Sequence, residues 1–335
     1  MELRKDPITM SWVIVESGSE PGRDKERCPL CPGNEMLAPQ TIYSFPDSRA
    51  DWQVRVTPHP HPLYIIETDP QRRGEGLYDK MRNLGAHEII IETRDHYLAL
   101  SQQSDENVAQ VLHAYLQRLG DLKKDRRFRY ITVSRNQGQA AGQDLVHPHS
   151  EITATPFIPR RVGYELRASL RYFALKERCL ICDIVKQELD QQVRTVDCDG
   201  HFVSFCPFAS RVPYETWILP TYHHAQFEED LTSWENQLRL ARFLKSILQR
   251  LESITPEYHL VLHTSPNTNA LYERASAWQT LSEDYHWHIE ILPVVAARSK
   301  SYSLKEVYYN PLLPEDAAKE LRAVPLDALE TPHLT

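Results

Sequence analysis

Residues 145–152 read LVHPHSEI and set His147, His149 and Glu151 at alternating positions. On an extended strand, side chains two apart point to one face, so all three are expected to meet one surface. A neutral imidazole can bind a metal, move a proton or attack an electrophile, and histidine is neutral near physiological pH. Any one of the three alone reads as an ordinary surface group. Three in register point to a site. For His149 the residue type leaves three roles open: a further metal ligand, a satisfied polar residue, or a nucleophile.

The preceding segment separates these roles. NQGQAAG, Asn136 to Gly142, gathers two glycines and two alanines. Small residues let backbone N–H groups come close to an anion and cradle its oxygens. Asn136, Gly138, Ala141 and Gly142 are therefore candidate phosphate-binding residues. An imidazole beside such a pocket suggests attack of a ring nitrogen on phosphorus. Near the C-terminal end, His288 takes the matching position, but its preceding loop, HTSPNTNA, has no glycine. Only the first site looks armed.

Six cysteines are present, four of them in the pairs CPLC (Cys28, Cys31) and CLIC (Cys179, Cys182). In a reducing compartment such pairs read as metal ligands before disulfides. Cys198 and Cys206 stand alone and read as ordinary buried thiols.

The elements that must position these groups occur twice. After the first pair come WQVRVTP and then HEIIIETRDH, ending at His96; after the second come HFVSFCPF and YETWILPTYHH, ending at His223 and His224. Each half continues with an amphipathic helix, marked by Val108, Val111, Leu112, Tyr115, Leu116 and Leu119, and by Leu240, Leu244, Ile247, Leu248 and Leu251. A strand follows in both (RYITVSRN, YHLVLHTS), and both close on one pattern, HPHSEI and HWHIEI. The order predicts a duplicated α+β unit, mostly antiparallel because short turns join its strands. The boundary falls near residues 160–175, giving domains 1–165 and 166–335.

The repeat also assigns the metals. Cys28, Cys31, His96 and His147 form one tetrahedral set; Cys179, Cys182, His223 and His286 form the second, with His224 leaving that register open. Taken singly, His96 or His223 is equally a surface histidine, and the repetition favours the ligand reading. Four protein ligands leave no open position, so two zinc ions would hold loops together and do no chemistry.

ELRKDPIT, WVI, CPLC, RNQGQAAG, HPHSE, HFVSFCPFASRVPYETWILP and HTSP together resemble the galactose-1-phosphate uridylyltransferase family of the histidine-triad superfamily, from residue 2 to about 322. The sequence also resembles the branch that includes plant ADP-glucose:phosphate adenylyltransferase, which carries the second CxxC. The resemblance implies two histidine-triad-like halves, each an antiparallel sheet with a packed helix, and commonly a homodimer. It implies ping-pong transfer of a nucleoside monophosphate between a nucleotide sugar and a sugar 1-phosphate, through a covalent nucleotidyl-histidine at His149, in galactose and carbohydrate metabolism. It places a phosphate-binding arginine near Arg23 and a sugar-contacting segment over 301–311, with Tyr302, Lys305 and Asn310 as candidates. Family members lacking the second CxxC use a carboxylate and three histidines, here Glu165, His263, His286 and His288. Both arrangements call on His286 and are expected to exclude one another.

Two positions depart from the family. Its glutamine on the transferred phosphate is Glu151 here, counted as a catalytic residue, and its serine before the first histidine is Asp144, counted as substrate-binding. A carboxylate about 4 Å from a phosphate oxygen is repelled by roughly 4 kcal/mol at intermediate dielectric. Glu151 is then protonated, or bound to a cation or ribose hydroxyl, or the substrate differs.

Composition bounds the rest. The chain has 335 residues, 41% hydrophobic and 25% charged, enough for two cores. A net charge of −8 argues against a nucleic-acid partner, and no apolar run reaches a membrane span. The N-terminal MELRKDPITMSW lacks the apolar core of a secretory signal, so the expected location is cytoplasmic. Competing readings are a phosphorylase or hydrolase acting on ADP-glucose or a dinucleotide polyphosphate, a zinc-stabilised binding protein with a decayed site, and a metalloenzyme using His147, His149 and Glu151.

Overall fold

The computed structural model describes residues 1–16, 28–48, 50–270, 279–295 and 307–326. The first half supplies β1 (Glu2–Lys5), β2 (Trp12–Val15), β3 (Tyr43–Phe45), β4 (Val54–Pro58), β5 (Arg73–Glu75) and β6 (Tyr78–Arg82). It continues with β7 (Ala86–Ile91), α1 (Asp105–Leu122), β8 (Tyr130–Gln137) and β9 (His149–Thr155). Helices α2 (Arg160–Lys176) and α3 (Leu180–Gln191) lead onward to β10 (Thr195–Cys198), β11 (Phe202–Phe205) and β12 (Thr216–Pro220). Next come α4 (Phe227–Asp230), α5 (Trp234–Glu252), β13 (Tyr258–His263), α6 (Leu281–Asp284), β14 (His288–Pro293) and α7 (Pro314–Arg322).

The strands form an antiparallel ten-stranded sheet in the order β10-β11-β12-β14-β13-β8-β9-β7-β4-β3, and β2-β1-β6-β5 form a small side sheet. Each half contributes five strands, and in both the fifth in sequence lies between the third and the fourth. The duplication expected from the sequence is thus a duplication of topology. The halves join edge to edge where β8 pairs with β13, Arg135 opposite Leu260. That pairing removes two exposed edges, each an unpaired row of N–H and C=O groups.

Helices α1 and α5 cover one face. Each begins at a serine, Ser104 or Ser233, whose side chain accepts the N–H of Asn107 or Asn236. Their apolar stripes, including Leu112, Leu119, Leu244 and Leu248, bury in a core shared by both halves. Cys206 lies in that core, whereas Cys198 is exposed on edge strand β10, which corrects the expectation that both are buried. No described helix is long and apolar enough to cross a membrane.

The opposite face carries the chemistry. Directly opposed residues of an antiparallel pair share a face. His149 lies opposite Ile91, and Glu151 opposite Ile89 and Ser134. In the second half His288 lies opposite His263, and Glu290 opposite Trp217 and Val261. Both histidine-bearing strands therefore present their polar groups away from the helices.

Candidate active site

His149 opens β9, and His147 precedes the strand. The expectation of three groups in strand register is thereby corrected: His149 and Glu151 share the strand face, while His147 turns toward the first cysteine pair. His149 is 3% exposed. Its Nδ1 donates to the His147 carbonyl at 2.8 Å, and its Nε2 lies 3.4 Å from Asp144 Oδ1. Burial, the largest single influence, lowers the imidazole pKa, but the hydrogen bond to Asp144, the bond to the His147 carbonyl and the nearby carboxylate charges together outweigh it and hold the pKa above its ordinary value. Asp144 is held ionised: burial works against its charge, and hydrogen bonds from His149 and His59 win.

Glu151 does not behave as a protonated donor. Its Oε2 lies 2.9 Å from His87 Nε2; burial raises the carboxyl pKa, and the interactions with His87 and His149 together outweigh it and keep the pKa below its usual value. His59 and His87 stack with centroids 4.2 Å apart and planes 6° from parallel. Nothing in PHPHP or AHEIII marks either residue; only the fold sets them behind the two carboxylates.

Behind β9 runs a buried ion pair that the sequence also left unmarked. Ser150 donates to Glu92 at 2.5 Å, Arg135 Nε donates to Glu92 at 2.9 Å, and Arg135 Nη1 donates to Tyr258 at 3.0 Å. This chain of bonds anchors the histidine strand to β8 and to the second half.

The small-residue loop is more committed than expected. Gly138 N–H donates to Gln143, Ala140 N–H to Glu257 and Gly142 N–H to the Gln139 carbonyl. Gly138 adopts φ +88° with Glu257 packed against it, so its smallness serves chain packing and not open space for oxygens. Gly142, at φ +77°, has open space where a Cβ would stand, and Ala141 is buried. Asn136 Oδ1 accepts from His259 at 2.9 Å.

Both Cys2His2 sets assemble, with one ligand atom per residue all within 4.8 Å of one another. Cys31 Sγ lies 3.2 Å from His96 Nδ1 and 3.5 Å from His147 Nδ1. Cys182 Sγ lies 3.3 Å from His223 Nδ1 and 3.5 Å from His286 Nδ1. His223, not His224, fills the open register. Three of the four histidines donate Nε2 to a carbonyl: His147 to Thr93, His223 to Ser282 and His286 to Pro220. Such bonds leave Nδ1 free for a metal, and thiolates with imidazoles suit zinc. The residues fit the ion.

Glu165, His263 and His288 form a separate cluster without His286. The expected exclusion of the two four-ligand arrangements agrees with this: His286 faces the cysteines, and the other three converge without it. Arg23, Tyr302 and Lys305 lie outside the described residues. Asn310 donates to the Ser210 and Val212 carbonyls at 3.1 Å each, a tie between segments.

Two like halves, each closed by a histidine-bearing strand, define the class: a tandem histidine-triad-like α+β protein. Residues 2–159 match the family described as galactose-1-phosphate uridyl transferase, N-terminal domain. The chain is 29% identical to ADP-glucose phosphorylase of Arabidopsis thaliana, over 97% of this chain and 93% of that one. It is 27% identical to galactose-1-phosphate uridylyltransferase of Thermotoga maritima, over 96% and 98%. An X-ray structure of a GalT-like protein from Arabidopsis thaliana superposes with a TM-score of 0.77 at 30% identity, covering 97% of this chain and 99% of that one. The chain belongs to the galactose-1-phosphate uridylyltransferase family, and it is a nucleotidyltransferase of that kind.

Proposed function

We propose that the protein moves a nucleoside monophosphate between a nucleotide sugar and a sugar 1-phosphate, with His149 as nucleophile. The carrying observation is that His149 donates Nδ1–H to the His147 carbonyl, which leaves the Nε2 lone pair for attack. Nε2 bonds to the α-phosphorus as the bond to the sugar phosphate breaks, and the sugar phosphate leaves with the bonding pair. An acceptor phosphate oxygen then attacks the nucleotidyl-histidine and returns the imidazole. Asn136, Ala141, Gly142 and Arg23 are proposed to hold the nucleotide, Gly138 to shape their loop, and Asp144 and Glu151 to flank the phosphate. The test is trapping: label from a nucleotide sugar carrying α-³²P should remain on the protein as an acid-labile adduct. His149→Asn should lose the adduct and several orders of magnitude of turnover, as losing a nucleophile does elsewhere, with its circular dichroism unchanged. Near-normal turnover without adduct would sink the covalent route.

Phosphorolysis of ADP-glucose is a second reading, supported by the identity to ADP-glucose phosphorylase along the whole chain. A panel of UDP- and ADP-sugars, each with hexose 1-phosphate or inorganic phosphate, separates the two. The catalytic half in this reading is 1–165 and the supporting half 166–335. Zinc in both Cys2His2 sets, a cytoplasmic location and a homodimer belong to the same proposal. Free thiols in every described cysteine support the reducing compartment, and light scattering tests the dimer.

A further inference from the structure

The carboxylates of Asp144 and Glu151 converge with His149, one ligand atom from each lying within 4.8 Å of the others. Each carboxylate is held from behind. His59 Nε2 lies 3.1 Å from Asp144 Oδ2, and His87 Nε2 lies 2.9 Å from Glu151 Oε2. The opposite nitrogens are also spoken for: His61 N–H donates to His59 Nδ1 at 3.0 Å, and Leu63 N–H donates to His87 Nδ1 at 3.1 Å. A ring nitrogen that accepts an N–H carries no proton, so in both rings the proton sits on Nε2. Both histidines are therefore neutral donors.

His59 and His87 thus orient the carboxylates without neutralising them. Two negative charges stand where an anionic phosphate must approach Nε2 of His149. The second half handles the equivalent position differently. Glu290, which closes HWHIE as Glu151 closes HPHSE, accepts from Arg161 at 2.9 Å and from Arg211 at 2.5 Å. Arginines supply the compensating charge there; among the described residues, the hydrogen bond to Glu151 comes from the neutral imidazole of His87. Glu151 spends Oε2 on His87, leaving Oε1 for another partner, whereas Asp144 accepts from His59 on Oδ2 and turns Oδ1 toward His149 Nε2 at 3.4 Å, a contact the cation would displace. Ligating carboxylates are commonly held by such outer hydrogen bonds. One or two carboxylates completed by substrate phosphate oxygens are what magnesium and manganese take.

We propose that Asp144 and Glu151 bind a divalent cation that bridges them to the nucleotide phosphates, with His59 and His87 orienting the two ligands. The cation cancels the paired negative charges and polarises the phosphoryl oxygen, while His149 Nε2 stays uncoordinated. The location of the phosphate rests on the nucleophile reading above; the cation site itself does not.

The experiment titrates the purified protein, with its structural metals retained, with manganese and follows free Mn²⁺ by electron paramagnetic resonance. One added site per chain is expected. It should weaken at least tenfold in the Asp144→Asn/Glu151→Gln double variant and in His59→Phe. In the wild-type protein, a nucleotide sugar should tighten it at least tenfold beyond the sugar nucleotide's own affinity for manganese, because coupling between ligands is reciprocal. Manganese binding that persists in the double variant, or none in the wild type, overturns the proposal. If the double variant does not fold, the wild-type tightening decides alone. The outcomes separate cleanly: label on His149 without a manganese site removes the cation and keeps the nucleophile, and manganese without label does the reverse.

Discussion

His149 takes its reactivity from what its two nitrogens touch. The His147 carbonyl fixes the proton on Nδ1, and the Asp144 carboxylate faces Nε2. That carboxylate and the His147 carbonyl both favour the imidazolium, and with the charge of Glu92 they outweigh burial and hold the pKa above the ordinary value. An imidazolium has no lone pair for attack, so the nucleophile is masked below the raised pKa and released above it. For the free enzyme, kcat/KM should climb with pH through an inflection above histidine's usual value of about 6.5. Asp144→Asn removes the charge and leaves burial dominant, so the inflection should move to lower pH. A pH–rate series on the two proteins checks the shift, and superimposable profiles would remove Asp144 from this role.

At the scale of elements, the loop between β8 and β9 decides how the strand begins. Gly138 and Gly142 both lie in the left-handed region, at φ +88° and +77°, which costs a side-chain-bearing residue roughly 1–2 kcal/mol. They differ in surroundings. A Cβ on Gly138 would stand 2.5 Å from Glu257 Cγ, whereas one on Gly142 meets nothing within 4 Å. Gly142→Ala should therefore lose only the backbone amount, about 1–2 kcal/mol. Gly138→Ala should lose more, because Glu257 must move and its bond to the Ala140 N–H goes with it. Chemical denaturation of the two variants measures the difference; equal losses would mean the Glu257 contact carries no energy.

At the scale of the whole molecule, the two halves share one sheet and one core, so metal at either cysteine set bears on global stability. Cys28 and Cys31 come from a segment before β3, His96 follows β7, and His147 precedes β9. An ion there closes three separate stretches of chain. Cys28→Ser should remove one metal ion per chain by elemental analysis and lower the melting temperature by on the order of 5–10 °C, with a smaller effect on turnover of the folded enzyme. Cys182→Ser should act likewise at the second set. Thermal scans with and without a chelator test both. Unchanged melting on loss of metal would mean that the ion does not hold the loops.

The sequence by itself determined whatever depends on local period and on repetition. Helices α1 and α5 were legible in their apolar stripes, because 3.6-residue spacing is a property of the chain alone. The duplication was legible because two halves repeat the same order, and that order also gave both Cys2His2 sets. Tertiary structure decided what depends on distant residues meeting. The joining of β8 to β13, and of β1 to β6 within the side sheet, rests on pairings between strands far apart in sequence. His59 and His87 became part of the site only when β4 and β7 paired beside β9, and Gly138 acquired its neighbour Glu257 from the other half. His286 likewise chose the cysteines over Glu165 through side-chain geometry. Spacing lists which residues can bind, but direction in space settles which of them converge.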